Sequence, residues 1–301
     1  MFVSVIIRTY NEAQYLERLI SNILSQKVKN FSVEIIIVDS GSTDNTLSIA
    51  TKYHCRITHI KKSEFTFGRS LNIGCQFAKG DYFVFVSGHC IPVNEDWLTE
   101  LIKPFDNENI CYVYGRQEGK ETTKFSEYRH FDKHFPIYSK IPQNGFFCNN
   151  ANAAIAKKAW QQFKFNEDLT GLEDMFLAKQ IVEQGKQLAY IASASVYHIH
   201  NEKWAQIKVR YEREAFALQK IMPELHYTFF DFIKFYLSSI FHDISSAIRK
   251  KSFWKNIPDI LLFRLMQHWG TFKGNHAHRK LSLQRKMHYF YPKDLDKKNY
   301  E

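Results

Sequence analysis

Tyr10 stands in the segment Arg8-Thr9-Tyr10-Asn11-Glu12, just past the apolar run Phe2 to Ile7. Asp39 opens Asp39-Ser40-Gly41-Ser42-Thr43-Asp44, directly after the apolar run Val33 to Val38. Taken singly, each segment is a turn built of ordinary turn formers. Taken together, they set an aromatic ring beside a carboxylate, a pair able to stack a nucleobase and accept its ring N–H. A third apolar run, Asp81 to Val86, empties into Ser87-Gly88-His89-Cys90-Ile91-Pro92. Farther on, His198 and His200 flank Ile199, and alternate residues of an extended segment share a face. Glu173-Asp174 follows Leu169-Thr170-Gly171-Leu172; by themselves, acidic residues opening a helix complement its dipole.

The elements that must position these groups follow from hydrophobic spacing. Phe2 to Ile7 reads as a first strand. Asn11-Glu12-Ala13-Gln14 has the form of a helix cap, and Tyr15, Leu16, Leu19, Ile20, Ile23 and Leu24 recur at helical spacing. Val33 to Val38 is a second strand, with a capped helix beginning near Ser42 or Thr43. Ile57 to Ile60 is a third strand, Arg69 to Ala78 a helix and Asp81 to Val86 a fourth strand. This alternation predicts right-handed crossovers, a mostly parallel sheet and a ligand crevice at the carboxyl ends of its strands. A short helix is expected from Trp97 to Phe105 and a strand from Ile110 to Gly115. Lys120 to Gln143 lacks a period and reads as a loop. Then come a strand at Phe146 to Ile155, a helical turn at Lys157 to Phe163, a helix at Asp174 to Gln184 and a strand at Leu188 to Tyr197. After about Asn201 the pattern turns helical: Trp204 to Ile221, Phe229 to Ile248 and Ile257 to Trp269.

Composition narrows the class. The 301 residues are 45% hydrophobic, which fits a folded chain with a large core. No apolar stretch reaches the roughly 18 residues of a bilayer span, and the first residues read as a strand instead of a cleavable leader, so a cytoplasmic protein is expected. The five cysteines, with no CxxC pair, argue against a disulfide framework and a zinc knuckle. The formal charge of +10 is concentrated after about residue 200 and favours anionic partners. No nucleic-acid-binding module accompanies it, and no nucleic acid is expected as partner.

The strings VSVIIRTYNE, VEIIIVDSGSTDNT, FGRSLNIGCQFAKGDYFVFVSGHCIP, DWL and LTGLEDMFLAKQIVEQG, in this order and spacing, resemble a family-two glycosyltransferase of the GT-A fold over about residues 2 to 200. The resemblance implies an α/β fold, a Rossmann-like mostly parallel central sheet flanked by helices. It implies a catalytic domain over 1–200; beyond it, the pattern makes 201–301 a helical, basic-aromatic extension that packs against the catalytic domain or another copy of the chain, or meets a membrane surface. By carry-over, Thr9, Tyr10 and Asp39 contact the nucleoside of a sugar donor, with Glu12 and Ser42 nearby, and Arg69 and Asn72 lie against its diphosphate. Asp174 would be the general base that takes the acceptor proton in an inverting, single in-line displacement, with Glu173 orienting the acceptor or the loop. Asn149-Asn150-Ala151-Asn152 falls where such enzymes floor the sugar site, so Asn150 and Asn152 would be sugar or acceptor contacts, the alternative being an edge or turn rich in Asn. Trp204 could stack on an acceptor ring, whereas Trp97 and Trp160 read as packing residues.

One motif departs from the family pattern. Where Asp-x-Asp holds a divalent cation on the donor diphosphate, this chain has Ser87-Gly88-His89. Imidazole ligates manganese or a similar borderline ion and suits magnesium less well. His89 and one of His198 and His200, with His200 favoured, are expected to meet at the diphosphate on a metal ion; the alternatives are direct donation to phosphate without metal, or a purely structural role for one of them.

The expected activity is transfer of one sugar from a nucleoside diphosphate sugar to a glycan or lipid-linked acceptor in cell-surface polysaccharide biosynthesis. Lys250, Lys251, Lys255 and Arg264 would hold the protein at an anionic membrane surface. The alternative is a catalytically silent, glycosyltransferase-like scaffold in an envelope polysaccharide assembly complex, prompted by the missing carboxylates. Asp39, Arg69 and the Glu173-Asp174 pair, all in the expected order, favour the enzyme.

Overall fold

The computed structural model describes residues 1–28, 30–120, 122–277 and 283–292. It separates into two compact units: residues 1–120, 131–168 and 173–200 form the first, and residues 121–130, 169–172 and 201–301 the second.

The first unit is built on one nine-stranded sheet: β1 (Phe2–Thr9), β2 (Ser32–Asp39), β3 (Arg56–His59), β4 (Tyr82–Ser87), β5 (Cys90–Pro92), β6 (Ile110–Glu118), β7 (Lys140–Gln143), β8 (Asn152–Ala156) and β9 (Gln187–His198). Their order is β3-β2-β1-β4-β8-β6-β9-β5, with β7 also paired to β9. The pairings leave β1, β2, β3, β4, β6 and β9 pointing one way and β5, β7 and β8 the other, so the sheet is mostly parallel.

The continuous apolar strands follow from burial on both faces. Val3, Val5 and Ile7 of β1 pack with Leu16, Leu19 and Ile20 of the helix Ala13–Leu24, while Ile6 packs on the other face with Leu71 and Cys75 of the helix Phe67–Phe77. In β4, Val84 and Val86 join the first layer, and Phe83 and Phe85 the second. This period of two anchors the register: a slip by one residue would exchange both layers at once.

Three expectations about the elements change. The first helix is not capped by Asn11, which adopts φ +54 and accepts from the Thr43 N–H at 2.8 Å. Its free N–H groups are met from the second loop instead, Glu12 N by Thr46 Oγ1 at 2.9 Å and Ala13 N by Asp44 Oδ2 at 3.1 Å. Second, the stretch expected to be a loop contains the helix Phe125–His134 and β7. The helix hid its period because Ser126 and Glu127 are buried; Glu127 is made tolerable by Arg210, 2.7 Å away and 83 residues distant in sequence. Third, the strand expected from Phe146 shortens to Asn152–Ala156, since Asn149 Oδ1 accepts from the Ala151 N–H at 3.0 Å and turns the chain.

The second unit is helical: Trp204–Ile221, Phe229–Arg249, Phe253–Asn275 and Leu283–Phe290. Gly270 and Gly274 permit close backbone approach, since a Cβ on either would lie 2.4 Å from Lys208 O or 2.1 Å from Glu212 O. Arg264, expected at a charged surface, is instead buried and forked onto Asp243, with Nε–Oδ2 at 2.7 Å and Nη2–Oδ1 at 3.0 Å.

Candidate active site

Strands β1, β2 and β4 run in register, Arg8 opposite Val38 and Ser87, and Thr9 opposite Asp39, so the three motif loops leave the sheet at one edge. Asp39 is 1% exposed and organises two of them. Its carboxylate accepts from Gly41 N at 2.9 Å, Ser42 N at 3.0 Å, Ser42 Oγ at 2.5 Å and Thr9 Oγ1 at 3.0 Å. Those four donors fill its lone-pair positions. Asp39 therefore shapes the loop, and accepting a ring N–H requires one of these donors to yield. Ser42 ties the loop to its neighbour by accepting from Asn11 N at 2.9 Å. Tyr10 is half-buried; Lys62 Nζ donates to its hydroxyl at 2.5 Å and lies 4.4 Å from its ring centroid.

The donor-segment pair divides. Arg69, in the first turn of its helix, is partly exposed and lies 3.5 Å from Glu64. Asn72 turns into the core. Its Nδ2 donates to Phe165 O and Glu167 Oε1, both at 2.9 Å, and its Oδ1 accepts from Trp160 Nε1 at 3.0 Å and Phe165 N at 3.1 Å. The expectation that Asn72 lies against a diphosphate does not match this placement, because every polar position of its amide is occupied by protein.

His89, His198 and His200 converge. β5 pairs antiparallel to β9 with Cys90 opposite His198, which sets His89 at the end of that ladder. Nε2 of His198 lies 3.2 Å from Nε2 of His89 and 2.9 Å from Nε2 of His200, and one ligand atom from each residue lies within 4.8 Å of the others. Sequence reasoning set His200 above His198, but the structure brings both to His89. The outer nitrogens are held as well: His198 Nδ1 faces Gln117 Oε1 at 2.7 Å and His89 Nδ1 faces Glu12 Oε1 at 3.3 Å. Donation at Nδ1 leaves each Nε2 with its lone pair turned inward. Two imidazole nitrogens about 3 Å apart share either one proton or one cation, and that separation suits two ligands at metal–nitrogen bonds of about 2.1 Å. The donor set fits a borderline divalent ion. Ser87 Oγ lies 3.3 Å from His89 Nε2. Gly88 leaves room for Glu12, whose Cγ would be 2.8 Å from an added Cβ.

Asp174 lies in the first turn of the helix Glu173–Glu183 and is buried. Its Oδ2 accepts from Asn150 N and its Oδ1 from Met175 N, both at 2.8 Å. Burial pushes its carboxyl up from 3.8 to about 7, with the Glu173 carboxylate adding to the rise; the two N–H donors and Arg8 oppose it. Glu173 itself is buried, with Oε1 3.5 Å from Arg8 Nη1.

The two Asn residues expected at the sugar differ in kind. Asn150 accepts from the Tyr112 hydroxyl, and its buried Nδ2 has no protein partner among the described residues. Asn152 is a core clamp: Nδ2 donates to Ala194 O at 2.8 Å and Arg116 O at 3.0 Å, and Oδ1 accepts from Trp97 Nε1 at 2.9 Å. This placement does not match the expected sugar contact, because both ends of the amide are taken by protein. Trp97 and Trp160 are buried packing residues.

Sequence reasoning missed Arg8 and Gln117. Arg8 could have been flagged as a cation inside the run VSVIIRT. Gln117 had no local signal; its Nε2 donates to Asn149 Oδ1 at 2.9 Å, joining the histidine cluster to the loop that holds Asp174.

In the second unit, Trp204 lines a cleft of about 710 Å³ together with Lys124, Tyr128, Lys203 and Lys255. Lys124 Nζ lies 4.9 Å from the Trp204 ring centroid.

The sequence pattern of the family described as Glycosyl transferase family 2 matches residues 4–164, more than half of the chain. The chain belongs to that family. It is 29% identical over 269 residues to the O-antigen chain rhamnosyltransferase WbaN of Salmonella anatum, covering 83% of this chain and 82% of the relative. It is 27% identical over 213 residues to the O-antigen chain rhamnosyltransferase RfbN of Salmonella typhimurium strain LT2, covering 67% of each. Among solved structures, the fold is shared with the mannosyltransferase PcManGT of Pyrobaculum calidifontis in complex with GDP-Man and Mn2+, at TM-score 0.59 and 16% identity, over 97% of this chain and 87% of that one. It is shared also with S. aureus TarS 1-349 in complex with UDP-GlcNAc, at TM-score 0.53 and 16% identity, over 93% and 92% of the two chains. This family-2 glycosyltransferase has the GT-A fold, with C-terminal helices added.

Proposed function

We propose that this glycosyltransferase inverts the anomeric centre while moving one sugar, of hexose or deoxyhexose class, from a nucleoside diphosphate donor to a glycan or lipid-linked acceptor of a cell-surface polysaccharide. The named O-antigen rhamnosyltransferase relatives support the polysaccharide and the deoxyhexose. Residues 1–200 would carry the chemistry and 201–301 would serve as the helical extension, at the cytoplasmic face of the membrane.

The observation that carries the proposal is the setting of Asp174: a buried carboxyl pushed up to about 7, fixed by Asn150 N and Met175 N. A base poised near neutrality is ionised enough to accept a proton and basic enough to hold it. Asp174 takes the proton of the acceptor hydroxyl as that oxygen attacks the anomeric carbon, and Glu173, held by Arg8, keeps the helix start in place. Asn150 Nδ2 donates to a sugar hydroxyl. Tyr10 stacks the base, Thr9, Asp39, Glu12 and Ser42 shape its loop, and Arg69 faces the diphosphate. His89, His198 and His200 would hold a divalent ion of the manganese type, whose charge offsets that developing on the leaving diphosphate. Ser87 and Gly88 position His89, and Trp204 in its cleft stacks an acceptor ring.

A thermal-shift screen against nucleoside diphosphates and their sugars, with and without manganese, tests this directly, because a ligand of the folded form raises its melting temperature. A nucleotide-specific shift that grows with manganese is expected. No shift with any nucleotide, and no transfer from any nucleoside diphosphate sugar, would return the chain to the scaffold alternative.

A further inference from the structure

The helix Phe229–Arg249 carries a stripe of apolar residues outward. Phe230 is 87% exposed and Phe241 71%, and with Ile233, Leu237 and Ile248 they recur at three, four, four and seven residues, one stripe along a helical surface. The inward face is mixed: Phe232 packs on Trp269 and Phe272, beside Asp243, paired to Arg264, and Ser239, whose Oγ lies 3.0 Å from His268 Nε2. A helix of 21 residues spans roughly 32 Å at about 1.5 Å per residue, so the stripe is long as well as apolar. Patches of this kind on a soluble protein mark a contact surface.

Charge identifies what covers it. Residues 244–258 include Arg249, Lys250, Lys251 and Lys255 and no Asp or Glu, and all four cations are exposed. Trp254 stands among them, 85% exposed. Exposed cations next in sequence to an exposed apolar stripe, with an exposed indole among them, match the headgroup layer of an anionic bilayer. No helix among the described residues is long and apolar enough to cross a membrane, and an amphipathic helix of this pattern lies in the interface plane instead.

We infer that the second unit docks on an anionic lipid surface through the Phe230–Ile233–Leu237–Phe241–Ile248 stripe and Trp254, with Arg249, Lys250, Lys251 and Lys255 over the headgroups. This deepens the proposed function by naming the surface on which a lipid-linked acceptor would be met.

Co-sedimentation of the full chain with vesicles tests it, using phosphatidylcholine alone and phosphatidylcholine mixed with phosphatidylglycerol. The chain is expected to pellet with the mixed vesicles and much less with the neutral ones. Phe230→Ser/Phe241→Ser should weaken partitioning by about tenfold or more, and Lys250→Glu/Lys251→Glu should abolish the preference for anionic lipid. Circular dichroism melts of both variants should match the parent, since the altered side chains are exposed. Equal partitioning of parent and variants, or no pelleting of the parent, would overturn the inference. A lipid-free dimer that Phe230→Ser/Phe241→Ser converts to monomer would assign the face to a second copy and overturn it too. Nucleotide-induced thermal shifts on the same preparations separate the two ideas: vesicle binding without nucleotide binding sinks the proposed reaction and leaves the docking surface standing.

Discussion

The backbone N–H of Asn150 donates to Asp174 Oδ2 at 2.8 Å, while the Asn150 side-chain amide Nδ2 is buried without a protein partner among the described residues. One residue thus steadies a carboxylate with its backbone and offers a donor with its side chain. Since an unpaired buried amide costs about 1–3 kcal/mol, a polar ligand at this place gains what the free protein forgoes.

Asp174→Asn is expected to lower transfer by about 10²–10⁴-fold while nucleotide binding stays near the parent value, because a base acts on the acceptor. The measurement is kcat beside a nucleotide Kd. Wild-type turnover by the variant would remove Asp174 from the role.

With its carboxyl pushed up to about 7 by burial and by Glu173, Asp174 should impose a rising limb on the pH profile of kcat/KM, centred near that pH. Stability runs oppositely. Between 3.8 and about 7 the folded protein keeps a proton that the unfolded chain has released, so stability falls as pH rises across this window and levels off above it. Denaturant titrations at a series of pH values should show that decline, and a flatter one in Asp174→Asn.

Gln117→Leu removes the acceptor that fixes His198 Nδ1 and leaves the three inward nitrogens in place. Loss of such a partner should weaken manganese binding by about 10–100-fold. His89→Ala should lose most of the manganese response, read by calorimetry or by metal-dependent thermal shift. An unchanged metal response in both variants would mean that the imidazoles act without a metal.

Asn72→Ala should cost several kcal/mol of stability, on the order of 2–4, because it leaves Trp160 Nε1 and Phe165 N without an acceptor. A donor-contact role predicts instead a raised KM in a protein of parental stability. Urea denaturation and KM on one preparation decide between them.

Much of the first unit is legible in its sequence, since strands buried on both faces must be continuously apolar and their connecting helices must be amphipathic. Phe2–Thr9, Ser32–Asp39 and Tyr82–Ser87 appear within two residues of expectation. The helix Phe125–His134 was not legible, because its buried Glu127 depends on Arg210, and a pattern reader counts a buried carboxylate as solvent-facing. Asn72 and Asn152 resembled ligand contacts for a similar reason: an amide side chain has the same polarity whether it meets a sugar or clamps a core.

Local composition alone determined the alternation of strands and helices, the loops at the strand ends and the acidic start of the helix at Glu173, because these depend on neighbours in the chain. Tertiary structure decided which side chains share a site. His89 meets His198 across 109 residues through the short β5–β9 ladder, and Gln117 joins that cluster to the Asp174 loop. Such pairings depend on which strand edges lie together, a choice made by burial summed over the whole sheet and invisible in any short window of sequence.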